Sequence, residues 1–155
     1  MAVSASRTQI SLRCILFATD FSCCSQTALA EALALSRRYS SALYTVTVVP
    51  PDIADRYESP DPFYLRHAAE NKMAELVKSG VFRGIEHHEL VKEEAGFVAE
   101  VLFDLINKLD VDLIALATHG RGGIKKLALG SVAETIVSPQ QYLWVDSGSG
   151  RRPSV

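Results

Sequence analysis

The sequence alternates between short apolar runs and longer segments in which apolar residues recur every three or four positions. Runs with the character of strands cover residues 12–19, 42–49, 84–91, 111–117 and 142–145. Parallel strands are joined by crossovers of a dozen or more residues, usually helices, and the segments between these runs have helical periodicity. The pattern therefore predicts an α/β fold, with a doubly wound, five-stranded parallel sheet and helices on both faces.

The predicted strands differ in their burial patterns. Residues 12–19 and 111–117 are nearly continuous apolar runs, which are typical of strands buried on both faces. Residues 84–91 alternate between apolar and polar side chains, which predicts an edge or partly exposed strand. The charged residues 92–94 that follow are expected to form a solvated turn.

Helices are predicted at residues 25–39, from about 61 to 80, from about 97 to 109, and from 131 to 138. Arg37 and Arg38 stand in the last turn of the first helix, where the helix dipole favours cations. Gly80 is expected to end the second helix.

The size and charge of the chain limit the possible functions. At 155 residues and 48% hydrophobic content it can form one domain with a buried core. That domain is expected over residues 12–146, with flexible polar tails at 1–11 and 147–155. A formal net charge of −2 gives no basic excess, so nucleic acid is not an expected partner. No segment resembles a signal-peptide core or a membrane span, so a cytoplasmic protein without a membrane partner is expected.

Cysteine and histidine provide no predicted metal site. Cys14 lies in an apolar run and is expected to be a small buried residue. Cys23 and Cys24 are adjacent, which disfavours a bridge between them and does not match metal-ligand spacing, although a redox role is a less favoured alternative. His87 and His88 would point to opposite faces of a strand and so would not converge on a metal.

A glycine-rich segment follows the fourth predicted strand. Gly120, Gly122 and Gly123 allow positive φ angles and a close approach of the backbone to a ligand. Ser131 and Glu134 have capping-box spacing at the start of the next helix, where N–H groups and the dipole favour phosphate. Neither the Walker A pattern nor the G-x-G-x-x-G fingerprint occurs. A tight strand-to-helix connection without a ligand is the simpler alternative.

Asp20 follows the first strand. Ligands of doubly wound sheets bind outside the carboxyl ends of the strands, where the strand order reverses. If the fourth strand lies beside the first, Asp20 and the glycine-rich segment face one crevice. The carboxylate could accept hydrogen bonds from a ribose or a base, and it could equally cap the following helix.

Three segments in this order resemble the universal stress protein family: Thr19-Asp20-Phe21-Ser22, Thr118-His119-Gly120-Arg121-Gly122-Gly123, and Leu129-Gly130-Ser131-Val132-Ala133-Glu134. The resemblance covers residues 12–146. It implies an adenine nucleotide alpha hydrolase-like fold with strand order 3-2-1-4-5. It also implies a regulatory stress-response protein that binds ATP, with or without Mg²⁺.

Nucleotide-binding members of that family share a glycine, two residues, a glycine, nine residues, and a glycine followed by Ser or Thr. Gly120, Gly130 and Ser131 fit this pattern, whereas Ala117 stands at the first glycine position. Alanine adds one methyl group and is tolerated where φ is negative. With a positive φ, or with phosphate packed on the Cα, affinity would fall.

The resemblance implies a role for each matching position. Asp20 and Val48 flank the adenosine, residues 120–122 meet the phosphates, and residues 130–132 complete the phosphate cradle. His119 contacts phosphate or holds the loop by hydrogen bonding. The complete implied set is Ala18, Thr19, Asp20, Val48, Ala117, His119, Gly120, Arg121, Gly122, Gly130, Ser131 and Val132.

Turnover is less well supported than binding. Arg121 could add positive charge near the phosphates, and Ser131 and Asp20 could help to hold a metal. Phosphoryl transfer also needs a residue that positions the attacking group, and the motif offers no convincing base. A slow ATPase is therefore the third choice.

The last strand bears on assembly. Family members often end in an aliphatic edge strand that pairs with its twin, whereas this chain has Tyr142, Leu143, Trp144 and Val145. A strand edge is a template for pairing, and aromatic residues are favoured at interfaces, so a homodimer through this strand is expected. The alternative function is a nucleotide-free dimeric interaction module of the same fold.

Overall fold

The computed structural model describes residues 11–49, 64–94 and 97–117, together with the backbone of residues 143–145. The strands are β1 (Cys14–Ala18), β2 (Ala42–Val49), β3 (His87–Glu93), β4 (Leu113–Leu116) and β5 (Leu143–Val145). The helices in these ranges are α1 (Cys23–Tyr39), α2 (Tyr64–Lys78) and α3 (Val98–Leu109). None of the described helices is long and apolar enough to cross a membrane.

All neighbouring strands are parallel, and their order in the sheet is β3-β2-β1-β4-β5. The predicted α/β fold and strand order are therefore confirmed. The chain moves outward from β1 through β2 to β3 and then returns to the other side of β1 as β4. This reversal between β1 and β4 is the switch point at which ligands of doubly wound sheets bind.

The helices cover the two faces of the sheet separately. On one face, Phe17 of β1 packs with Ala28 and Ala32 of α1, and Leu76 of α2 borders this cluster. On the other face, Leu16 of β1 packs in a cluster that includes three buried residues of α3, namely Leu102, Leu105 and Ile106. The central strand β1 is thus buried on both sides, as its continuous apolar sequence predicted.

At the amino end of the sheet, Asp112 holds β1 beside β4. Its carboxylate oxygen Oδ2 accepts hydrogen bonds from the backbone N–H groups of Arg13, at 2.7 Å, and Cys14, at 3.0 Å. The N–H of Asp112 donates in turn to the carbonyl of Cys14, at 2.9 Å. These bonds set the register that brings the carboxyl ends of the two strands together.

The third strand differs from its predicted position. It begins at His87, and its pairing with β2 continues to the Val49–Glu93 pair, so the prediction of a solvated turn at Lys92 and Glu93 is wrong. Residues 81–85 form turns and a bend instead, with Gly84 at a φ of +78°. The physical reason is that β3 is an edge strand, where charged side chains keep contact with water while the backbone pairs.

The other boundaries agree within about two residues, the usual scatter of helix ends. Helix α1 begins at Cys23, and α2 ends at Lys78, shortly before Gly80 with its φ of +78°. The predicted start of α2 at residues 61–63 and the predicted helix at 131–138 lie outside the described residues.

His87 and His88 lie on opposite faces of β3, as predicted. The His87 ring stacks on Phe82 with 3.6 Å between centroids, and its Nε2 lies 3.0 Å from the Thr45 hydroxyl oxygen. The His88 ring stacks on Tyr44 at 4.5 Å. Burial lowers the pKa of His87, with a smaller contribution in the same direction from His88, while Glu89 opposes the shift.

This shift predicts a loss of stability at mildly acidic pH. Since the pKa of His87 is lower in the folded state than its ordinary value of about 6.5, the unfolded chain binds more protons just below that pH. The His87 contribution is therefore present above about pH 6.5 and declines as the pH falls towards the folded-state pKa. Urea unfolding at pH 7.5 and 5.5 should show a smaller loss of unfolding free energy in His87→Gln than in the parent. His88→Gln is the control, and an equal change in both variants would contradict the assignment.

The three cysteines differ in their environments. Cys14 is buried, and burial, reinforced by Asp112 and Asp110, raises its pKa to about 11. Cys23 is exposed. A hydrogen bond with Cys23, followed by burial, raises the pKa of the Cys24 thiol, which is the opposite of thiol activation.

The rate of alkylation should distinguish these thiols. At pH 8, iodoacetamide is expected to modify Cys14 at least about a hundredfold more slowly in the folded protein than in denaturant, because both the thiolate fraction and access are reduced. Cys23 should react readily in both states, and peptide mass spectrometry distinguishes the sites. Equal rates for Cys14 in the two states would show that it is not held in this buried environment.

Candidate functional site

The carboxyl ends of β1, β2 and β4 meet at the switch point of the sheet. Ala18, the last residue of β1, is in register with Val46 on β2 and with Leu116 on β4. Beyond Ala18, the backbone N–H of Thr19 donates to the carbonyl of Val46 at 2.9 Å. Ala117 follows Leu116 on the neighbouring strand, so Thr19 and Ala117 leave the sheet side by side.

An apolar wall lies on the α3 side of this edge. Val48 lies two residues beyond Val46 on β2, about 6–7 Å further along the strand and on the same face. Ala18 and Val48 are both partly exposed and both pack against the core cluster of α3. A flat apolar group placed at the end of β1 would therefore meet a wall formed by β2.

The turn from β1 into α1 is organised by the hydroxyl group of Thr19, which is buried at 8% exposure. This hydroxyl donates to Ser25 Oγ at 3.0 Å and accepts the backbone N–H of Phe21 at 2.9 Å. Ser25 Oγ donates in turn to the carbonyl of Ser22 at 2.8 Å. The side chains of Thr19 and Ser25 thus form one network with the backbone of Phe21 and Ser22, and this network fixes the first turn of α1 against β1.

Asp20 shapes the same turn. Its Oδ1 accepts the backbone N–H of Ser22 at 2.9 Å. Between them, Phe21 has a φ of +59°, in the left-handed region that bulky residues rarely adopt. Strained backbone of this kind persists where surrounding bonds determine it, and it is concentrated at ligand-binding sites.

Asp20 does not cap α1 in the usual way, because it is not the N-cap residue. Ser22 is the N-cap residue of α1, in extended conformation, and its side chain makes no capping hydrogen bond. The carboxylate of Asp20 instead bonds to the N–H of the N-cap residue itself. Asp20 therefore folds the connection that leads into the helix, while remaining partly exposed at the edge of the sheet.

Ala117 follows β4 with backbone geometry that suits alanine. Among the described non-glycine residues, positive φ angles occur at Phe21, Ser40 and Asp110, and Ala117 is not one of them. The conformation at Ala117 therefore does not require glycine. Alanine is tolerated at this position where φ is negative, and the backbone of Ala117 meets that condition.

Five of the predicted site residues thus lie at one edge of the sheet, namely Ala18, Thr19, Asp20, Val48 and Ala117. The other predicted residues, His119, Gly120, Arg121, Gly122, Gly130, Ser131 and Val132, lie outside the described residues, as does Tyr142. Their roles stay predictions. In the part of the chain that the structure describes, no three His, Cys, Asp or Glu side chains are grouped so that they could hold a metal ion.

Two groups that build this site were not predicted from the sequence. The carbonyl of Val46 anchors Thr19, and the hydroxyl of Ser25 joins Thr19 to the helix. A serine in the first helical turn commonly bonds back to nearby backbone, which was the available signal for Ser25. Nothing local in the sequence indicates the role of Val46, because it depends on strand pairing.

The sequence model that describes the universal stress protein family matches residues 12–139 of this chain. No curated protein matches the sequence. Among solved structures, the universal stress protein UspA from Lactobacillus plantarum has a TM-score of 0.72 at 19% identity, over 88% of this chain and 99% of its own.

Two further similar structures carry nucleotides. A universal stress protein in complex with cAMP has a TM-score of 0.63 at 19% identity, over 90% of this chain and 100% of its own. The universal stress protein from Archaeoglobus fulgidus in complex with dAMP has a TM-score of 0.59 at 14% identity, over 89% of this chain and 98% of its own. At these identities the likeness establishes a shared fold.

Proposed function

The chain belongs to the universal stress protein family, and from that premise we propose that it is a regulatory stress-response protein that binds ATP at the switch point between β1 and β4. The observation that carries the proposal is the convergence of Ala18, Asp20, Val48 and Ala117 at one edge of the sheet. The proposed unit is a single cytoplasmic domain over residues 12–146.

In this proposal the adenosine lies at the ends of β1 and β2. Val48 offers a partly exposed apolar surface on the α3 side, which suits the face of a purine. The carboxylate of Asp20 accepts one N–H within its own turn and has two oxygens, so it can also accept a ribose hydroxyl or a base N–H. The bound nucleotides of the cAMP and dAMP complexes support an adenine nucleotide as the ligand class.

The phosphates are assigned to the segment after β4. Gly120, Gly130 and Ser131 match the family pattern, and the resemblance implies phosphate contacts for residues 120–122 and 130–132; Ala117 connects that segment to the sheet. The negative φ region at Ala117 removes one objection to ATP, because alanine is unstrained there. Arg121 would add positive charge, and His119 would contact phosphate or hold the loop.

We propose that the protein binds ATP without hydrolysing it efficiently. The described part of the site contributes one carboxylate, Asp20, and hydroxyl groups already engaged in the turn, such as those of Thr19 and Ser25. Mg²⁺ would reach the site as a companion of the triphosphate. ATP occupancy would act by changing the conformation or the partner surface of the protein.

The test is direct. Freshly purified protein is denatured, and the released small molecules are identified by chromatography and mass spectrometry. The emptied protein is then titrated calorimetrically with ATP and Mg²⁺, with cAMP and AMP in parallel. Saturable ATP binding stronger than that of the other two supports the proposal. Absence of saturable binding by any adenine nucleotide would overturn it.

A nucleotide-free interaction module is the second candidate, favoured by the position of β5. This strand ends the sheet order and pairs with β4 along one edge. Its other edge can take a twin strand, so we propose a homodimer through Tyr142, Leu143, Trp144 and Val145. Sedimentation of the nucleotide-free protein checks this arrangement: a monomer at all concentrations would count against the module.

A further inference from the structure

Two adjacent thiols are in contact in the first turn of α1. Cys23 is exposed and Cys24 is partly exposed, so both can be reached from solvent. Their side chains are joined by a hydrogen bond, which brings the two sulfur atoms together. Successive residues of a helix usually point in different directions, so this contact is a feature of the local structure that the sequence spacing did not indicate.

A disulfide bond between these two thiols does not fit the helix. The Cα atoms of successive residues are about 3.8 Å apart, whereas the Cα atoms of bridged cysteines are usually about 4.4–6.8 Å apart. Closing the bridge would therefore distort the first turn of α1, which is held in place by the hydrogen bonds of Thr19 and Ser25. The reduced dithiol is the form that this turn favours.

The spacing of the thiols suits a metal ion held between two thiolates. A zinc–thiolate bond is about 2.3 Å long, and two bonds of that length in line would hold the sulfur atoms about 4.6 Å apart. This separation is close to that of two thiols in hydrogen-bond contact, so a small rotation about each χ1 angle is sufficient. The helix backbone can stay in place, in contrast to the disulfide.

The number of available ligands limits the type of metal. Within the described residues, no third His, Cys, Asp or Glu side chain completes a group that could hold a metal ion. Structural zinc sites have four protein ligands, so the pair is incomplete for zinc. Soft thiolates also select Cu⁺, and this monovalent ion with a filled d shell is stable with two of them.

The charges around the pair also bear on metal binding. Two thiolates and one monovalent cation carry a single net negative charge, which the N-terminus of a helix stabilises. Of the described residues in the first turn of α1, none is acidic. The pKa of Cys24 is raised by its hydrogen bond with Cys23, by burial and, to a smaller extent, by the negative charge of Asp20. The metal therefore has to displace thiol protons, as it does whenever thiolates coordinate.

We propose that Cys23 and Cys24 form a two-coordinate site for the soft monovalent metal ion Cu⁺. In the binding step both S–H groups lose their protons to solvent and two S–Cu bonds form, with no change in the oxidation state of copper or sulfur. The site uses none of the residues assigned to the nucleotide, so it does not depend on the proposed function.

The probe is Cu⁺, supplied without oxygen to the full-length protein as its acetonitrile complex, with bicinchoninate as the coloured competing ligand. One ion should bind per chain. Cys23→Ala and Cys24→Ala should each lower the affinity by about 10²–10⁴-fold, because a linked second ligand raises affinity by about that factor. The double variant should lose little more, since the two thiols act as one chelate. Cys14→Ala, which removes the buried thiol, should leave affinity and stoichiometry unchanged.

Thiols that bind copper independently would give a different result, because each single variant would then lose part of the bound copper while the rest kept its affinity. That outcome would overturn the proposal. Equal effects of Cys14→Ala and Cys23→Ala, or copper-dependent linking of two chains in sedimentation, would also overturn it. If an alanine variant does not fold, Cys23→Ser and Cys24→Ser must show the same loss of affinity. These titrations contain no nucleotide, so a protein that fails to bind ATP can still bind Cu⁺.

Discussion

Replacing Leu16 by alanine is expected to lower the free energy of unfolding by about 2–5 kcal/mol. Leu16 lies in the middle of β1, is 0% exposed, and packs against the α3 side of the sheet. Alanine would remove apolar contacts and leave a cavity that the flanking strands β2 and β4 cannot fill, because their hydrogen bonds to β1 hold them in place. A domain of this size is stable by only about 5–15 kcal/mol, so a large part of its stability would be lost.

Urea unfolding followed by circular dichroism measures this effect. Leu16→Met, which conserves volume, should cost less than about 1.5 kcal/mol. Val77→Ala, at a position on α2 that is 39% exposed, should change stability by no more than about 0.5 kcal/mol. If Leu16→Ala costs no more than Val77→Ala, then β1 is not the closely packed centre of this fold.

Replacing Asp20 by asparagine is expected to weaken ATP binding by about ten- to a hundredfold, since a hydrogen bond to a charged group contributes about 1.5–3 kcal/mol. Asparagine keeps an oxygen that can accept the N–H of Ser22, so the turn that contains Phe21 should persist. A loss of ATP affinity would then show that the carboxylate of Asp20 itself contacts the nucleotide. Calorimetric titration with ATP and Mg²⁺ provides the measurement, and an unchanged unfolding midpoint shows that the turn is intact.

Two further variants complete this test. Gly130→Val places a branched side chain where the family pattern implies contact with phosphate, and it should abolish measurable ATP binding. Glu31→Gln, at an exposed position on α1, should have no effect and serves as the control for loss of a negative charge. If Asp20→Asn and Glu31→Gln bind ATP equally well, the carboxylate of Asp20 does not contact the nucleotide.

Sequence alone determined the fold class, the strand order implied by the family resemblance, and the opposite orientation of His87 and His88. The fold class and the orientation of the two histidines depend on periodicity, which is a local property of the chain, whereas the strand order came only through the family resemblance. The family resemblance also identified Asp20 and Val48 as candidates for one site, and parallel pairing brings these residues to one edge of the sheet.

Tertiary structure decided what depends on contacts between distant segments. Pairing with β2 places β3 at His87–Glu93. Lys92 and Glu93 therefore lie in a strand, although their charges alone favour a solvated turn. The positive φ of Phe21 follows from hydrogen bonds to Thr19 and Asp20. A cavity between α1 and α2 depends on how both helices pack on the sheet, which brings together residues about 50 positions apart, such as Ser25 and Glu75. Periodicity shows which side chains are buried, but not which distant partner covers them, because that choice is made only when the elements pack.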